Sequence, residues 1–121
     1  TGLRREYIIN ELEKIGIKYY YFNMISLEEM NELYNCLDLY IVSSRYEGGP
    51  RSIFEAGATR TPIISTKVGI AMELLPEESL FDQNDIMSYK NAKPNVDYLA
   101  RQVENLTIDK QMDKIKDMLL N

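Results

Sequence analysis

Apolar positions along the chain keep two rhythms, and the switches between them mark out its elements. Ile8, Leu12 and Ile15 recur at helical spacing with charged residues between them, which predicts a helix over 3–15 stopped by Gly16. The aromatic block Lys18-Tyr19-Tyr20-Tyr21-Phe22 predicts a short strand. Its tyrosines are expected to serve core and edge packing rather than to form a stacking platform for a ligand. Ser26-Leu27-Glu28-Glu29 has the form of a capping box, with Ser at the cap and Glu three residues on. The helix it opens carries its stripe through Met30, Leu33, Tyr34 and Leu37. An unbroken run at 39–42, flanked by polar residues, predicts a strand buried on both faces.

Beyond a polar loop with two glycines, Pro50 opens a helix that runs to about residue 59. Residues 62–66 read as a strand with Pro62 at its start, ended by Gly69. A short helix over 70–75 is stopped by Pro76, and 79–81 reads as a short strand. Two helices close the chain, one marked by Val96, Leu99, Ala100 and Val103, the other by Ile108, Met112, Ile115 and Leu119. Lys and Asp interleave on the last helix, which predicts a packed cover rather than a membrane anchor. Alternating strands and helices predict an α/β fold, a parallel sheet with helices on both faces. No repeat or linker divides it, so residues 1–121 form a single domain. Sheets of this kind bind ligands at the carboxyl ends of their strands. The loops after Phe22, Ser43 and Thr66 are therefore the places to look.

Charge and composition narrow the chemistry. A net charge of -5 argues against a nucleic-acid surface, which needs clustered Lys and Arg. With no histidine, His-based acid–base catalysis and His-ligated metals are excluded within the chain. The single cysteine, Cys36, allows no internal disulfide; among Leu33, Tyr34 and Leu37 it reads as a buried small hydrophobe and not a nucleophile. No apolar run reaches the ~18 residues of a membrane span. The chain opens on Thr1-Gly2 rather than on Met, and we read it as a piece of a longer protein.

The loop and helix after the central strand read Ser43-Ser44-Arg45-Tyr46-Glu47-Gly48-Gly49-Pro50-Arg51-Ser52-Ile53-Phe54-Glu55-Ala56. Gly48 and Gly49 allow a ligand close to the backbone. The N–H groups of Arg51, Ser52 and Ile53 have no partners within the helix and, with the helix dipole, form an anion site. Glu47 and Glu55 bracket that site. Carboxylates beside a phosphate cradle make sense when they accept hydrogen bonds from hydroxyl groups, and a nucleotide sugar offers these on its sugar and its ribose. The plainer alternative is that Glu55 is a solvated residue paired with Arg51, four positions away, and Glu47 an ordinary loop acid.

This segment resembles the signature of a large family of retaining glycosyltransferases, the glycosyl transferases group 1, which have two Rossmann-like domains (the GT-B arrangement). Its pattern is Glu, Gly, an aromatic, Pro, four mostly apolar residues and Glu-Ala, with seven residues between the glutamates, as between Glu47 and Glu55. The similarity extends upstream to Leu33-Tyr34 and Asp38, and downstream to Ala58, Thr61-Pro62-Ile63-Ile64, Thr66-Lys67-Val68-Gly69 and Glu73. It implies a Rossmann-like donor-binding domain, in which Glu47 is the catalytic, sugar-facing acid and Glu55 holds the ribose hydroxyls. The backbone of Gly48 and Gly49 would contact the sugar and that of Arg51, Ser52 and Ile53 would hold the distal phosphate, with Pro50 at the helix start also in the donor-binding set. Asn23, within Phe22-Asn23-Met24, would lie near the base, and Gly69 beside the donor. The implied reaction is transfer of a hexose from a nucleoside-diphosphate sugar with retention at the anomeric carbon. It needs no cofactor and no metal. The acceptor is a saccharide, lipid or protein, and an N-terminal acceptor domain would complete the enzyme. The place of action would be cytoplasmic, or peripheral at a membrane in a longer protein.

The sequence departs from the pattern at four points. Gly49 replaces an aromatic, and Arg60 stands where the family has a helix-ending Gly, so a strained or reshaped turn is expected there. Ile70 replaces the second Gly of a pair, which predicts bulk toward the donor, and Met72 replaces a Pro. Two further readings stay open: a non-catalytic nucleotide-sugar-binding or interaction module of the same fold, and an unrelated doubly wound domain such as a signalling receiver. The second would need an acidic cluster ending its first strand.

Overall fold

The computed structural model describes residues 2–46, 48 and 51–120. At its centre is a three-stranded parallel sheet in the order β1-β2-β3, with β1 at Tyr40–Val42, β2 at Ile63–Thr66 and β3 at Leu80–Phe81. Tyr40 lies opposite Ile63 and Val42 opposite Ser65 on one side of β2, while Ser65 and Thr66 lie opposite Leu80 and Phe81 on the other. All four residues of β2 are buried, as expected for a central parallel strand covered on its faces.

Helices α1 (Gly2–Lys14) and α2 (Leu27–Cys36) precede the sheet, α3 (Arg51–Thr59) crosses from β1 to β2, and α4 (Ala71–Leu74) follows β2. After β3 come α5 (Val96–Asn105) and α6 (Ile108–Leu120). The result is an α/β, Rossmann-like parallel sheet flanked by helices. Sequence reasoning missed only two 3-10 turns, Glu77–Ser79 and Ile86–Asn91. Tyr34, Val42, Ile53, Ala56, Ile63, Ala71, Leu74, Leu75 and Leu99 form the core.

Local chemistry explains where these elements start and stop. The Ser26 hydroxyl accepts from the Glu29 N–H at 3.1 Å, and the Glu29 carboxylate accepts from the Ser26 N–H at 3.1 Å. Two otherwise orphaned donors at the start of α2 are thereby satisfied. Asn95 caps α5 by accepting from the Tyr98 N–H at 3.1 Å. At the end of α3, Arg60 takes a left-handed conformation with φ +56°. The Thr61 N–H donates to the Ala56 carbonyl at 2.9 Å and the Arg60 N–H to the Gly57 carbonyl at 3.4 Å, the bonding of a Schellman turn. The expected strain at Arg60 is therefore real. An ion pair between the Arg60 guanidinium and Asp97 of α5 ties this turn to the next layer.

Helices α3 and α5 pack closely because Gly57 has no side chain. A Cβ built there lies 2.4 Å from Val103 Cγ2, 3.1 Å from Leu99 Cγ and 3.2 Å from Val103 Cβ. Ala56, rather than Ala58, turns inward beside Gly57.

Four sequence expectations fail. Residues 18–22 form no strand. Aromatic propensity favours an extended conformation, but a strand needs a partner ladder, and among the described residues the sheet ends at β1. The tyrosines lie against α1 instead. Tyr19 donates to Glu13 at 2.7 Å, Arg5 sits 4.9 Å from the Tyr21 ring centre, and Lys18 sits 5.3 Å from that of Tyr20. Nor is β1 buried on both faces: Ile41 is 48% exposed, since β1 is an edge strand among the described residues. Cys36 is exposed. The helical stripe that sends Tyr34 inward places a residue two positions later about 200° away, on the solvent side. Finally, α6 is not the packed cover expected: none of its residues is buried.

Candidate functional site

The site forms where α2 and α3 meet beside β1. Arg51, Ser52 and Ile53 are the first residues of α3, so their N–H groups lack intrahelical acceptors. Arg51 is exposed, Ser52 half-buried and Ile53 fully buried. Ile53 thus contributes only its backbone at the helix start, while its side chain anchors the helix in the core.

One turn on, Glu55 is half-buried and points toward α2. The Tyr34 hydroxyl donates to Glu55 Oε2 at 2.7 Å. Tyr34 itself is 5% exposed and its ring stacks on Tyr40, with centres 5.6 Å apart and planes at 28°. Burial, and then the hydrogen bond to a carboxylate, pushes the Tyr34 phenol well above the ordinary tyrosine range. It therefore remains a donor at any physiological pH. Among the described residues no ion pair joins Arg51 to Glu55. The plainer reading of Glu55 as half of a surface pair is thus not what the geometry shows.

Ser52 and Glu55 open onto a cleft of about 430 Å³ whose other walls include Phe22, Met24, Met30 and Leu33. It is largely apolar, with the Glu55 carboxylate and the hydroxyl-bearing Tyr34, Tyr40 and Ser52 also in its lining, a combination suited to a flat organic ring attached to a polar group. Met24 holds a positive φ of 51° at the cleft mouth and is 95% exposed. Asn23 is exposed beside it but is not one of the lining residues. The segment expected near the base thus reaches the same cleft as Glu55, through Phe22 and Met24.

Of the remaining predicted residues, Gly48 is exposed, and a Cβ there meets nothing within 4 Å. Gly69 follows β2 with φ +44°, a conformation that favours glycine. Glu47, Gly49 and Pro50 lie outside the described residues. Ile70, the residue after Gly69, is half-buried, with its side chain against the core. Lys67, at the end of β2, is paired with Glu77 at 2.5 Å, and that bond raises its pKa.

Sequence reasoning missed a second, polar cleft of about 310 Å³, lined by Arg45, Tyr46, Gln83 and Asn84. Gln83 and Asn84 come just after β3, at the same carboxyl end as the loop after β1. The rule that found the first loops could have found these. Thr66 braces this end of the sheet: its buried hydroxyl donates to the Ser44 carbonyl at 2.6 Å, fixing the start of the loop that leads to Glu47.

A parallel sheet, a carboxyl-end loop, a helix start beside it and a carboxylate one turn on agree with the sequence comparison. The family model for glycosyl transferases group 1 matches residues 2–115. The chain belongs to this family. Membership makes it part of a glycosyl-transferring protein, with a nucleotide-sugar donor and an acceptor as its partners in general terms. No curated protein matches the chain. Among the described residues, no helix of this glycosyltransferase domain is long and apolar enough to cross a membrane.

Proposed function

We propose that this chain is the nucleotide-sugar-binding part of a retaining hexosyltransferase of the two-domain GT-B arrangement. The observation that carries the reading is Glu55, held by Tyr34 in the wall of a largely apolar cleft, one turn from the start of α3. A nucleoside diphosphate matches that order of surfaces. Its base fits the cleft of Phe22, Met24, Met30 and Leu33, its ribose hydroxyls meet Glu55, and its diphosphate meets the N–H groups of Arg51, Ser52 and Ile53. Glu47 is the catalytic, sugar-facing acid, with Gly48 and Gly49 as contacts of the hexose and Pro50 as part of the donor-binding set. Asn23 and Gly69 stand at the borders of the donor.

In this reading the acceptor hydroxyl attacks on the face the leaving phosphate departs from, and a phosphate oxygen takes its proton. The protein then works by positioning and charge stabilisation. No metal or cofactor is required. The acceptor is a saccharide, lipid or protein presented by a separate N-terminal domain, in the cytoplasm or peripherally at a membrane. Residues 1–121 alone bind the donor as one domain but transfer no sugar.

Titration with UDP, GDP and ADP sugars, followed by backbone amide resonances, tests this. One nucleotude class is expected to shift Gly48, Arg51, Ser52 and Ile53, and Glu55→Ala should weaken it on the order of tenfold, the cost of losing hydrogen bonds to a charged group. If all three sugars leave these amides unmoved at millimolar concentration, the donor-site reading is wrong.

A further inference from the structure

Glu55 would hold a diol more tightly with its carboxylate plane already fixed, and no residue of its own helix fixes it. The one described partner of the Glu55 side chain is the phenol of Tyr34, 21 positions earlier in the chain, bound to Oε2 at 2.7 Å. Tyr34 is itself immobilised three ways. Its ring is 5% exposed, it stacks on Tyr40 of β1, and its backbone carbonyl accepts from the Thr61 hydroxyl at 3.0 Å. The Thr61 hydroxyl lies 2.8 Å from that of Thr59, which in turn lies 2.8 Å from the Glu55 carbonyl, so two hydroxyl protons are shared among these three contacts. The Glu55 side chain and backbone thus both touch groups that join α2, α3 and the turn after α3.

A carboxylate has about four acceptor positions on its two oxygens. Tyr34 takes one on Oε2 and leaves Oε1 with the outward side of the group. We infer that Tyr34 is a positioning residue that presents the Glu55 carboxylate to a vicinal diol, so that the site selects ribonucleotides over nucleotides lacking the 2′- and 3′-hydroxyls. This rests on the donor-site reading above and adds to it a residue and a selectivity. The physical basis is preorganisation. A freely rotating glutamate would lose side-chain freedom on meeting the diol, whereas this one is already ordered in the free protein.

The test is a thermodynamic cycle on the whole chain with UDP, GDP and ADP and their 2′,3′-dideoxy counterparts as probes, each variant first checked for folding by circular dichroism. Unmodified protein is expected to prefer the ribose form of whichever nucleotide binds. Tyr34→Phe keeps the stacked ring and removes only the donor. It should cut that preference about tenfold, equivalent to about 1.4 kcal/mol, with dideoxynucleotide affinity unchanged. Glu55→Ala should abolish the preference, and Tyr34→Phe should then change nothing further. A purely structural Tyr34 would lower both affinities together, and that result overturns the inference. No ribose preference in the unmodified protein would sink the role of Glu55 first, before any Tyr34 variant is made. Should Tyr34→Phe fail to fold, the hydroxyl proton resonance of Tyr34 in the unmodified chain serves instead. It should shift with the ribonucleotide and stay put with the dideoxy form, and equal behaviour with both refutes the proposal.

Discussion

Adding a single methyl group at Gly57 tests how tightly the layer carrying the site is packed. The Cβ of Gly57→Ala would meet Val103 Cγ2 at 2.4 Å, well inside contact distance. Rotating Val103 does not clear it, because Val103 Cβ and Leu99 Cγ already stand at 3.2 and 3.1 Å. Helices α3 and α5 must therefore separate. Overpacking of this kind costs about 1–3 kcal/mol. Against it stands the better helix propensity of Ala, worth about 1 kcal/mol. The expected balance is a loss of about 1 kcal/mol, which for a chain of 121 residues lowers the melting temperature by about 4 °C. Urea unfolding read by circular dichroism measures it, and the pair Gly57→Ala with Val103→Ala supplies the control. Shortening Val103 removes the 2.4 Å contact and leaves only the two milder ones, so the double variant should be more stable than the sum of the single effects predicts, by about 0.5 kcal/mol. If Gly57→Ala is neutral or stabilising, or the two changes simply add, the helices are not in the contact described. Because α3 also carries Ser52 and Glu55, the same shift should appear as chemical-shift changes along the cleft.

Two further outcomes follow from single residues. In an Asp97→Asn background, where the ion pair is already gone, Arg60→Gly should stabilise by roughly 0.5–1 kcal/mol, since glycine holds a left-handed turn without the clash an L side chain suffers; a lower urea midpoint would refute the turn geometry. Tyr34 should make the protein alkali-sensitive. Its phenol is raised above the unfolded value of 10.0, so its contribution is intact below pH 10 and is lost as pH climbs, by up to about 1.4 kcal/mol per unit while the native phenol stays protonated. Stability measured from pH 8.5 to 11 should fall more steeply for the unmodified chain than for Tyr34→Phe, and parallel curves would contradict the buried hydrogen bond.

The legible part of this fold was the part governed by neighbours in sequence. Capping at Ser26, the stop at Gly16, the turn at Gly69 and the strand at 62–66 all depend on residues within a few positions. The illegible part depended on partners elsewhere. Tyr19, Tyr20 and Tyr21 have strand-forming side chains, yet pairing is decided by a neighbouring strand that their own sequence does not specify. The stripe of α6 predicted a buried face, but amphipathicity states which face can be buried, not whether anything covers it. Of the site, Glu55 and the start of α3 were found by motif and spacing. Its bond to Tyr34 was not, because a separation of 21 positions hides the fact that α2 and α3 lie side by side. Gln83 and Asn84 carried no motif and were revealed only by the end of the sheet to which β3 delivers them.

Strand neighbours in this sheet are also neighbours along the chain, and that orders events during folding. Tyr40 must find Ile63 and Ser65 must find Leu80, two loop closures whose entropy costs differ by only about 0.4 kcal/mol. Neither edge therefore has a clear head start. Every pairing, however, includes β2, whose residues have no exposed face to wait on. Slowing its formation should slow the whole chain, while changes in β1 or β3 should mainly alter how fast the finished sheet comes apart.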